Sequence, residues 1–486
     1  MSDSGVDICY LLSHGFAERM VLHTDIIPRI RERGLSVAVI VPSSGEQAAE
    51  EIKERYGLEV RIAPDYESSS RRQYQILRRY LFEDVEQNPP LWAKHNYSRD
   101  QSTQRKLVLD AYLLLNKLSL KSKTVREGLL RLENRMLDSP EAKAILHELK
   151  PRLVVATYPV SRLEAALVKE AEQMGITTVG HLLSWDNITS KGRFPSPPDY
   201  YITWGPIMSS EVKEYYGKSD DSIRECGVAH FDRHLESVPS DRIASILIEH
   251  GLNPEWPYMF FGMSSPYSAP REIDVVTWLA SQIKNGRFGE RMQLLVRPHP
   301  QNVNPSGANS MFDRLEEVTG PRVAINYPEI KDDGLNWSME ESDLHRFVAL
   351  FAGSTITLNS GSTFAIDGLM HDKPVIITAF DGDADLPWYQ TANRVLEYHH
   401  IRKLIDLGGC FVAESYDDLA AGIDRYLADP SVDAEGRKMS RHMECGPCDG
   451  HTADRVAAAL ESFLREALGQ TDDTPSPGRV EIGGTA

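Results

Sequence analysis

The sequence predicts an α/β protein of two Rossmann-like domains, with a helical insertion in the N-terminal one. Three observations carry that expectation. Short apolar runs alternate with helical periodicity along both halves of the chain, the pattern of parallel sheets wound by crossover helices. Most of these runs end on loops rich in hydroxyl, amide and charged residues, at the sheet edge where open α/β folds place their sites. A long charged stretch with helical spacing and no strand signal interrupts the first half.

At 486 residues the chain has room for two or three domains, and 41% hydrophobic with 26% charged residues is an ordinary soluble balance. A formal charge of −18 repels polyanions, so nucleic acid is not an expected partner, although one loop and one arginine suffice for a single nucleotide. No apolar run reaches the roughly 18 residues of a membrane span, and the first residues lack a basic start and an apolar centre. The expected location is the cytoplasm. Five scattered cysteines, Cys9, Cys226, Cys410, Cys445 and Cys448, fit a reducing compartment. Cys445 and Cys448 have redox spacing but do not follow the first strand of a βαβ unit, so they read as structural or incidental.

The first element is the apolar run at residues 6–12, followed by a loop at 13–19 carrying His14 and Glu18, a helical pattern to Ile30 and a second buried run at 36–42. This is a βαβ unit with its loop at the carboxyl edge, where His14 and Glu18 qualify as proton acceptors. Residues 66–149 form the helical insertion. Its clusters at Arg71, Arg72, Arg78, Arg79 and from Lys117 to Lys123 suit an anionic membrane surface or acceptor, although such charge more often marks a solvated face.

Strand–helix alternation resumes at residues 153–158 and 162–174, and the run at 176–183 delivers the loop at 184–192. That loop gathers Trp185, Asp186, Asn187 and Lys191, too polar a set for a plain connection. Trp185 offers a stacking face for a sugar ring, Asn187 and Lys191 can orient hydroxyls, and Asp186 is the preferred base, its pKa raised by burial unless Lys191 offsets it. The first domain extends to about residue 236, and the polar segment after it is the boundary.

The second domain, residues 237–469, repeats the plan. A buried run at 256–263 ends on the hydroxyls of Ser264 and Ser265, and one at 292–296 ends on Arg297-Pro298-His299-Pro300. A third leads into Asn359-Ser360-Gly361-Ser362-Thr363 and a helix bearing Asp367. Small polar residues opening a helix leave backbone N–H groups unpaired beside hydroxyl donors, an anion site for which phosphate is the usual occupant. Arg297 and His299 suit phosphate or a base edge, and Asp367, one turn into the helix, suits ribose hydroxyls. Asp381-Gly382-Asp383-Ala384-Asp385 reads as an acidic surface loop that is also able to hold a divalent ion. Residues 470–486, rich in Pro, Gly, Ser and Thr, are expected to be a disordered tail.

Several of these segments occur in an order that resembles a known group. The runs at 198–204 and 226–232, Arg297-Pro298-His299-Pro300, and residues 360–376 are similar to those of CDP-glycerol glycerophosphotransferase-like and surface-polysaccharide glycosyltransferase proteins of the GT-B superfamily. The resemblance implies GT-B architecture, with Arg297, His299, Ser360, Ser362 and Thr363 holding the donor nucleotide and its phosphates. The family's His-Gly-Thr type loop is replaced here by Ser184-Trp185-Asp186-Asn187. The expected activity is metal-independent transfer of a sugar, or an alditol phosphate, to a glycan or lipid-linked acceptor in surface polysaccharide biosynthesis. It needs no cofactor beyond the nucleotide-activated donor, and it takes place in the cytoplasm with contact to the inner face of a membrane. The alternatives are a UDP-N-acetylglucosamine 2-epimerase-like enzyme, which shares the architecture, and a catalytically inactive GT-B-like scaffold.

Overall fold

A computed structural model describes residues 5–64, 76–303 and 311–469. Two parallel sheets organise these residues, of seven strands in the order β3-β2-β1-β4-β5-β6-β7 and six in the order β10-β9-β8-β11-β12-β13. The first sheet comprises β1 (Ile8–Leu11), β2 (Val37–Pro42), β3 (Glu59–Ala63), β4 (Leu153–Ala156), β5 (Thr177–His181), β6 (Tyr200–Thr203) and β7 (Ile223–Glu225). The second comprises β8 (Tyr258–Gly262), β9 (Gln293–Arg297), β10 (Val323–Ile325), β11 (Ile356–Asn359), β12 (Val375–Thr378) and β13 (Phe411–Ala413). Both are the two Rossmann-like sheets expected. Central strands such as Val-Ala-Val-Ile-Val-Pro of β2 are buried along their whole length, because helices cover both faces of the sheet.

Strand order reverses between β1 and β4 in the first sheet and between β8 and β11 in the second. Connections leave in opposite directions at such a point, so a crevice opens at the carboxyl ends of the strands. The loops after β8, β9 and β11 therefore lie side by side, since β9, β8 and β11 are neighbours.

The structure departs from the sequence reading after β1. The expected loop at 13–19 is helical from Gly15: His14 is the N-cap of the helix Gly15–Val21, its Nδ1 accepting the Phe16 N–H at 3.1 Å. Glu18 thus lies inside a helix. The insertion forms the helices Pro89–Arg99, Thr103–Lys121, Lys123–Met136 and Pro140–Leu149. Asn88, Ser102, Ser122 and Ser139 cap them through side-chain oxygens, and Pro follows two of these caps at the first helical position, which fixes where each helix starts. Residues 65–75, with Arg71 and Arg72, and the tail at 470–486 lie outside the described residues.

The final helix, Thr452–Ala467, follows the second sheet in sequence but packs into the core of the first. Val456, Leu460, Phe463 and Leu464 are buried beside Ile26, Ile27 and Ile30. Asp232 fixes this return by accepting the Thr452 N–H at 2.9 Å and its hydroxyl at 2.8 Å. The two halves also share an apolar cluster in which Trp185, Ile188 and Trp204 meet Ile366, Leu369 and Ile377. Burying one cluster from both sides ties the sheets together across the cleft.

Candidate functional site

A cleft of about 530 Å³ opens between the two sheet edges, within the usual range for a small-molecule site. From the second domain it is lined by Ser264, Ser265, Arg297, His299, Gly361, Ser362, Thr363 and Asp367, and from the first by Trp185, Asp186 and Lys191. His14, Glu18, Asn187, Asn359 and Ser360 are not on its wall.

The three hydroxyl and arginine loops do converge, but their hydrogen bonds differ from those the sequence suggested. Asn359, fully buried at the end of β11, accepts the N–H groups of both Gly361 and Ser362 at 2.9 Å, and Ser362 Oγ accepts from Phe364 N–H at 3.3 Å. The N–H groups expected to await an anion are thus partly taken. The helix behind them, Phe364–Met370, has only seven residues, so its dipole is short. Ser360 turns inward, its hydroxyl 2.8 Å from that of Thr378.

Arg297 is also committed. It donates to Asn326 Oδ1 and Asp343 Oδ2, both at 2.5 Å, and lies over the Phe347 ring at 4.9 Å. His299 caps a short turn through Nδ1, which accepts the Gln301 N–H at 3.2 Å, and its ring stands edge-on to Trp337. Burial lowers its pKa to about 4, so the imidazole is neutral near neutral pH. Asp367 faces His234 Nε2 at 3.1 Å, and His234 Nδ1 is 2.9 Å from His371 Nε2, forming a short polar chain beneath the cleft floor.

Several groups on the wall lack hydrogen-bond partners, Tyr267 Oη and His400 Nδ1 among them, and two more bear on an anion. The buried Ser264 Oγ has no hydrogen bond, while its backbone N–H donates to Glu272 at 2.7 Å and its carbonyl accepts from Asn302 at 2.9 Å. Arg19, on the helix after β1, has no hydrogen-bond partner among the described residues, and its guanidinium lies over Phe347 at 5.7 Å. Burial lowers its pKa, against the opposing pull of Asp367 and Asp343. The sequence reading passed over Arg19, although it sits in the same loop-and-helix segment as His14; the missing signal was that its turn is helical.

On the first-domain side Asp186 accepts from Ser184 and Ser190 hydroxyls at 2.8 Å and pairs with Lys191 at 2.7 Å. Burial works to raise its pKa, as expected, but Lys191, His400 and the hydroxyls outweigh burial and hold the carboxyl well below its usual range. Trp185 is buried and meets His400 edge-on at 4.9 Å, so its indole braces the loop. Asn187 is buried, with its Oδ1 unpartnered. His14 packs against Phe16, Tyr158 and Trp337, and burial with Lys191 lowers its pKa to about 4.

Glu18 is structural in its contacts. Its carboxylate accepts from Ser338 Oγ at 2.7 Å and Lys331 Nζ at 3.2 Å, which joins the first helix to a segment of the second domain. Burial raises its pKa against those donors. Asp381 likewise accepts the Ala392 N–H at 2.6 Å while Asp383 and Asp385 are exposed, and among the described residues no three His, Cys, Asp or Glu side chains are grouped to hold a metal ion. All five cysteines are unpaired; Cys445 ends the helix Ala434–Cys445, and Cys448 lies 3.8 Å from Met370 Sδ.

No protein-family model matches the sequence, and comparison with curated proteins gives no match. Solved structures do match over nearly the whole chain. The Staphylococcus aureus MnaA–UDP complex is 10% identical, with 98% of this chain and 100% of that one covered at a TM-score of 0.56. The Neisseria meningitidis UDP-GlcNAc 2-epimerase bound to UDP-GlcNAc is 10% identical, with 94% and 100% covered at 0.53. A glycosyltransferase from Rickettsia africae is 12% identical, with 96% and 100% covered at 0.50. With its two parallel sheets and the cleft between their carboxyl edges, the chain has the GT-B fold.

Proposed function

We propose that this protein is a glycosyltransferase that binds a nucleotide-activated donor in the interdomain cleft and moves its sugar, or a sugar-like alditol phosphate, to a glycan or lipid-linked acceptor. The observation that carries the reading is that one cleft holds a guanidinium without a hydrogen-bond partner, Arg19 of the first domain, and an orphaned buried hydroxyl, Ser264 Oγ of the second, together with Ser362 and Thr363. Uncompensated donors in a half-closed site stabilise charge that develops on a departing diphosphate, and they do so without reorganisation. Arg297 contributes through its remaining N–H groups, and His299, being neutral, serves as a hydrogen-bond partner rather than a charge.

The polar wall of the first domain supports transfer to an acceptor. In sugar transfer the bond from the anomeric carbon to the diphosphate oxygen breaks as an acceptor hydroxyl bonds to that carbon, and in alditol phosphate transfer the hydroxyl bonds to the distal phosphorus as the nucleoside monophosphate leaves; in both the hydroxyl proton passes to a base. Asp186 is the proposed base, ionised throughout the working range and oriented by Ser184, Ser190 and Lys191. Trp185 and Asn187 brace its loop. Residues 5–236 with the returning final helix form the acceptor-side unit, and the rest of the described chain is the donor-side unit. The work is placed at the cytoplasmic face of a membrane, in surface polysaccharide synthesis. Exposed Leu107, Leu114 and Leu118 share a helix with Arg105, Lys106, Lys117 and Lys121, which suits an anionic interface.

A second reading, UDP-N-acetylglucosamine 2-epimerisation, is favoured by the epimerases among the matching structures. One experiment separates the readings. The protein is incubated with UDP-, CDP-, GDP- and dTDP-activated donors, with and without acceptor glycans. Acceptor-dependent release of the nucleotide supports transfer, free 2-epimer supports the second reading, and no binding of any nucleotide sinks both in favour of an inactive scaffold.

A further inference from the structure

Besides Arg19 and Arg297 the cleft wall carries Lys191, from the loop after β5, and Lys94, from the helical insertion. Lys94 lies on the cleft wall from the helix Pro89–Arg99, with Lys191 and Asp186 on the same wall. Arg79 lies just before this helix, in the turn Arg78–Leu81, with its backbone against the loop after β5: a Cβ added to Gly192 would sit 3.0 Å from Arg79 Cα. The turn is firmly placed. Asn116, fully buried, donates to the carbonyls of Tyr80 and Glu83 at 2.7 and 2.9 Å, and Arg78 donates to the Lys191 carbonyl at 2.6 Å. Asn88 donates to the Thr189 carbonyl at 3.0 Å, so the insertion grips the Asp186 loop from two sides. Tyr97 of the same helix meets Tyr267 of the second domain edge-on at 5.1 Å, which closes that end of the cleft.

Neither Lys94 nor Arg79 has a hydrogen bond or ion pair among the described residues. The carboxylate on the same wall, Asp186, already accepts from two hydroxyls and Lys191. Burial, then the charges of Arg79, Lys191 and Arg78, push the Lys94 pKa well below its ordinary value, and burial lowers that of Arg79 to about 10. Arg19 comes from the helix after β1 and lies over Phe347, whereas Lys94 comes from an insertion helix, so the two cations reach the cleft from different elements. Crowding half-buried cations without an internal anion costs folding free energy, and a fold retains such a cost most readily where a ligand offsets it. A solvated lysine face is the simpler account, but the Lys94 group is on the wall of the cleft and its neighbours repel it.

We propose that Lys94 and Arg79, together with Lys191, form a second anion subsite that holds a phosphoryl group of the acceptor, separate from the donor's diphosphate. The inference rests on the nucleotide-donor reading above and adds to it the class of acceptor, one that carries phosphate close to the hydroxyl that reacts. Charge-assisted hydrogen bonds from an ammonium and a guanidinium suit a phosphoryl oxygen fork, and Lys191 can share its charge between Asp186 and the ligand.

The test uses calorimetry on the full chain, first with UDP alone and then with pyrophosphate titrated into protein saturated with UDP. The wild type is expected to bind one pyrophosphate in addition to UDP. Lys94→Met should weaken that second binding by about tenfold or more, the worth of one charge-assisted hydrogen bond, and leave UDP affinity near wild type. Arg19→Met should do the reverse. Because Lys94→Met removes an unpaired half-buried charge, it should fold at least as stably as the wild type, and Arg79→Gln provides an independent variant. If UDP-saturated wild type binds no pyrophosphate, or if Lys94→Met weakens UDP instead, the subsite does not exist as stated. If UDP fails to bind but Lys94→Met still abolishes pyrophosphate binding to the free protein, the donor reading falls and the anion subsite stands.

Discussion

Replacing Arg297 by methionine tests how the donor wall is held together. The Arg297 and Asp343 side chains are 8% and 3% exposed, and the arginine gives Asp343 Oδ2 its hydrogen bond at 2.5 Å. Without it the one hydrogen-bond donor left to Asp343 among the described residues is the Glu329 N–H, at 3.3 Å to Oδ1. Removing one partner of such a pair strands a buried charge, which costs about 3 to 5 kcal/mol. The double variant Arg297→Met with Asp343→Leu removes both charges and should recover most of that loss, since well-packed apolar replacements of buried pairs are often close to neutral. The cation–π contact with Phe347 is lost in both and does not distinguish them. Urea unfolding near neutral pH measures stability, and calorimetry with UDP measures the donor site. The single variant should be strongly destabilised and the double largely restored, while both lose less UDP affinity than Arg19→Met does, since two Arg297 N–H groups are already spent on Asn326 and Asp343. A single variant that loses less than about 1 kcal/mol, as an exposed pair would, or a double variant no more stable than the single, refutes the buried-pair reasoning.

Other substitutions probe the opposite wall and the layers beneath. Asp186→Asn should cut transfer by about 10² to 10⁴, the usual worth of a general base, with UDP affinity near wild type. Because Lys191, His400 and the hydroxyls overcome burial to keep the carboxyl low, wild-type activity should show no acid limb at or above the ordinary aspartate value of about 3.9; a limb there, or a variant with most of its rate, removes Asp186 from the role. Glu272, buried beneath Ser264, has its pKa raised to about 8 by burial, so between the unfolded value of about 4.3 and that value the native state binds more protons than the unfolded state and stability falls as pH rises. Glu272→Gln should flatten that slope in urea unfolding at the two ends of the window, and an unchanged slope would assign it to other groups. Replacing Cys445 and Cys448 together by serine should leave turnover within a few-fold and indifferent to reductant; loss of activity in a folded double variant would show that the pair does more than pack.

The fold was legible in the central strands because both of their faces are covered, which writes the strand into the sequence as an unbroken apolar run. Edge strands carry no such signature. Glu59-Val60-Arg61-Ile62-Ala63 alternates with charge, and Ile223-Arg224-Glu225 and Phe411-Val412-Ala413 are too short to show any period, so β3, β7 and β13 were passed over. The return of the final helix to the first sheet was hidden for another reason. Its apolar stripe, Val456, Leu460, Phe463 and Leu464, announces a buried face but not which core receives it; that is decided by Asp232 holding Thr452, residues 220 apart in the chain.

The site shows the same limit in a chemical form. Loops picked out by their donor residues do meet at one cleft, because a strand order that reverses at β1 and β8 must bring them together. What sequence cannot supply is which donors are already spent. Arg297 is matched by Asp343, which lies 46 residues away, and Glu18 by Ser338, 320 residues away, while the loop N–H groups of Gly361 and Ser362 are taken by Asn359 almost next door. Recognition of an anion depends on groups left over after this internal pairing, since a satisfied donor must break one bond to make another and gains little by the exchange. On the proposed reading, that subtraction favours Arg19 and Ser264 Oγ over Arg297 for the donor, and Lys94 over the surface lysines of the insertion for the acceptor. The long insertion, which reads as a solvated helical stretch, therefore completes the cleft, and its removal should affect acceptor use before donor binding.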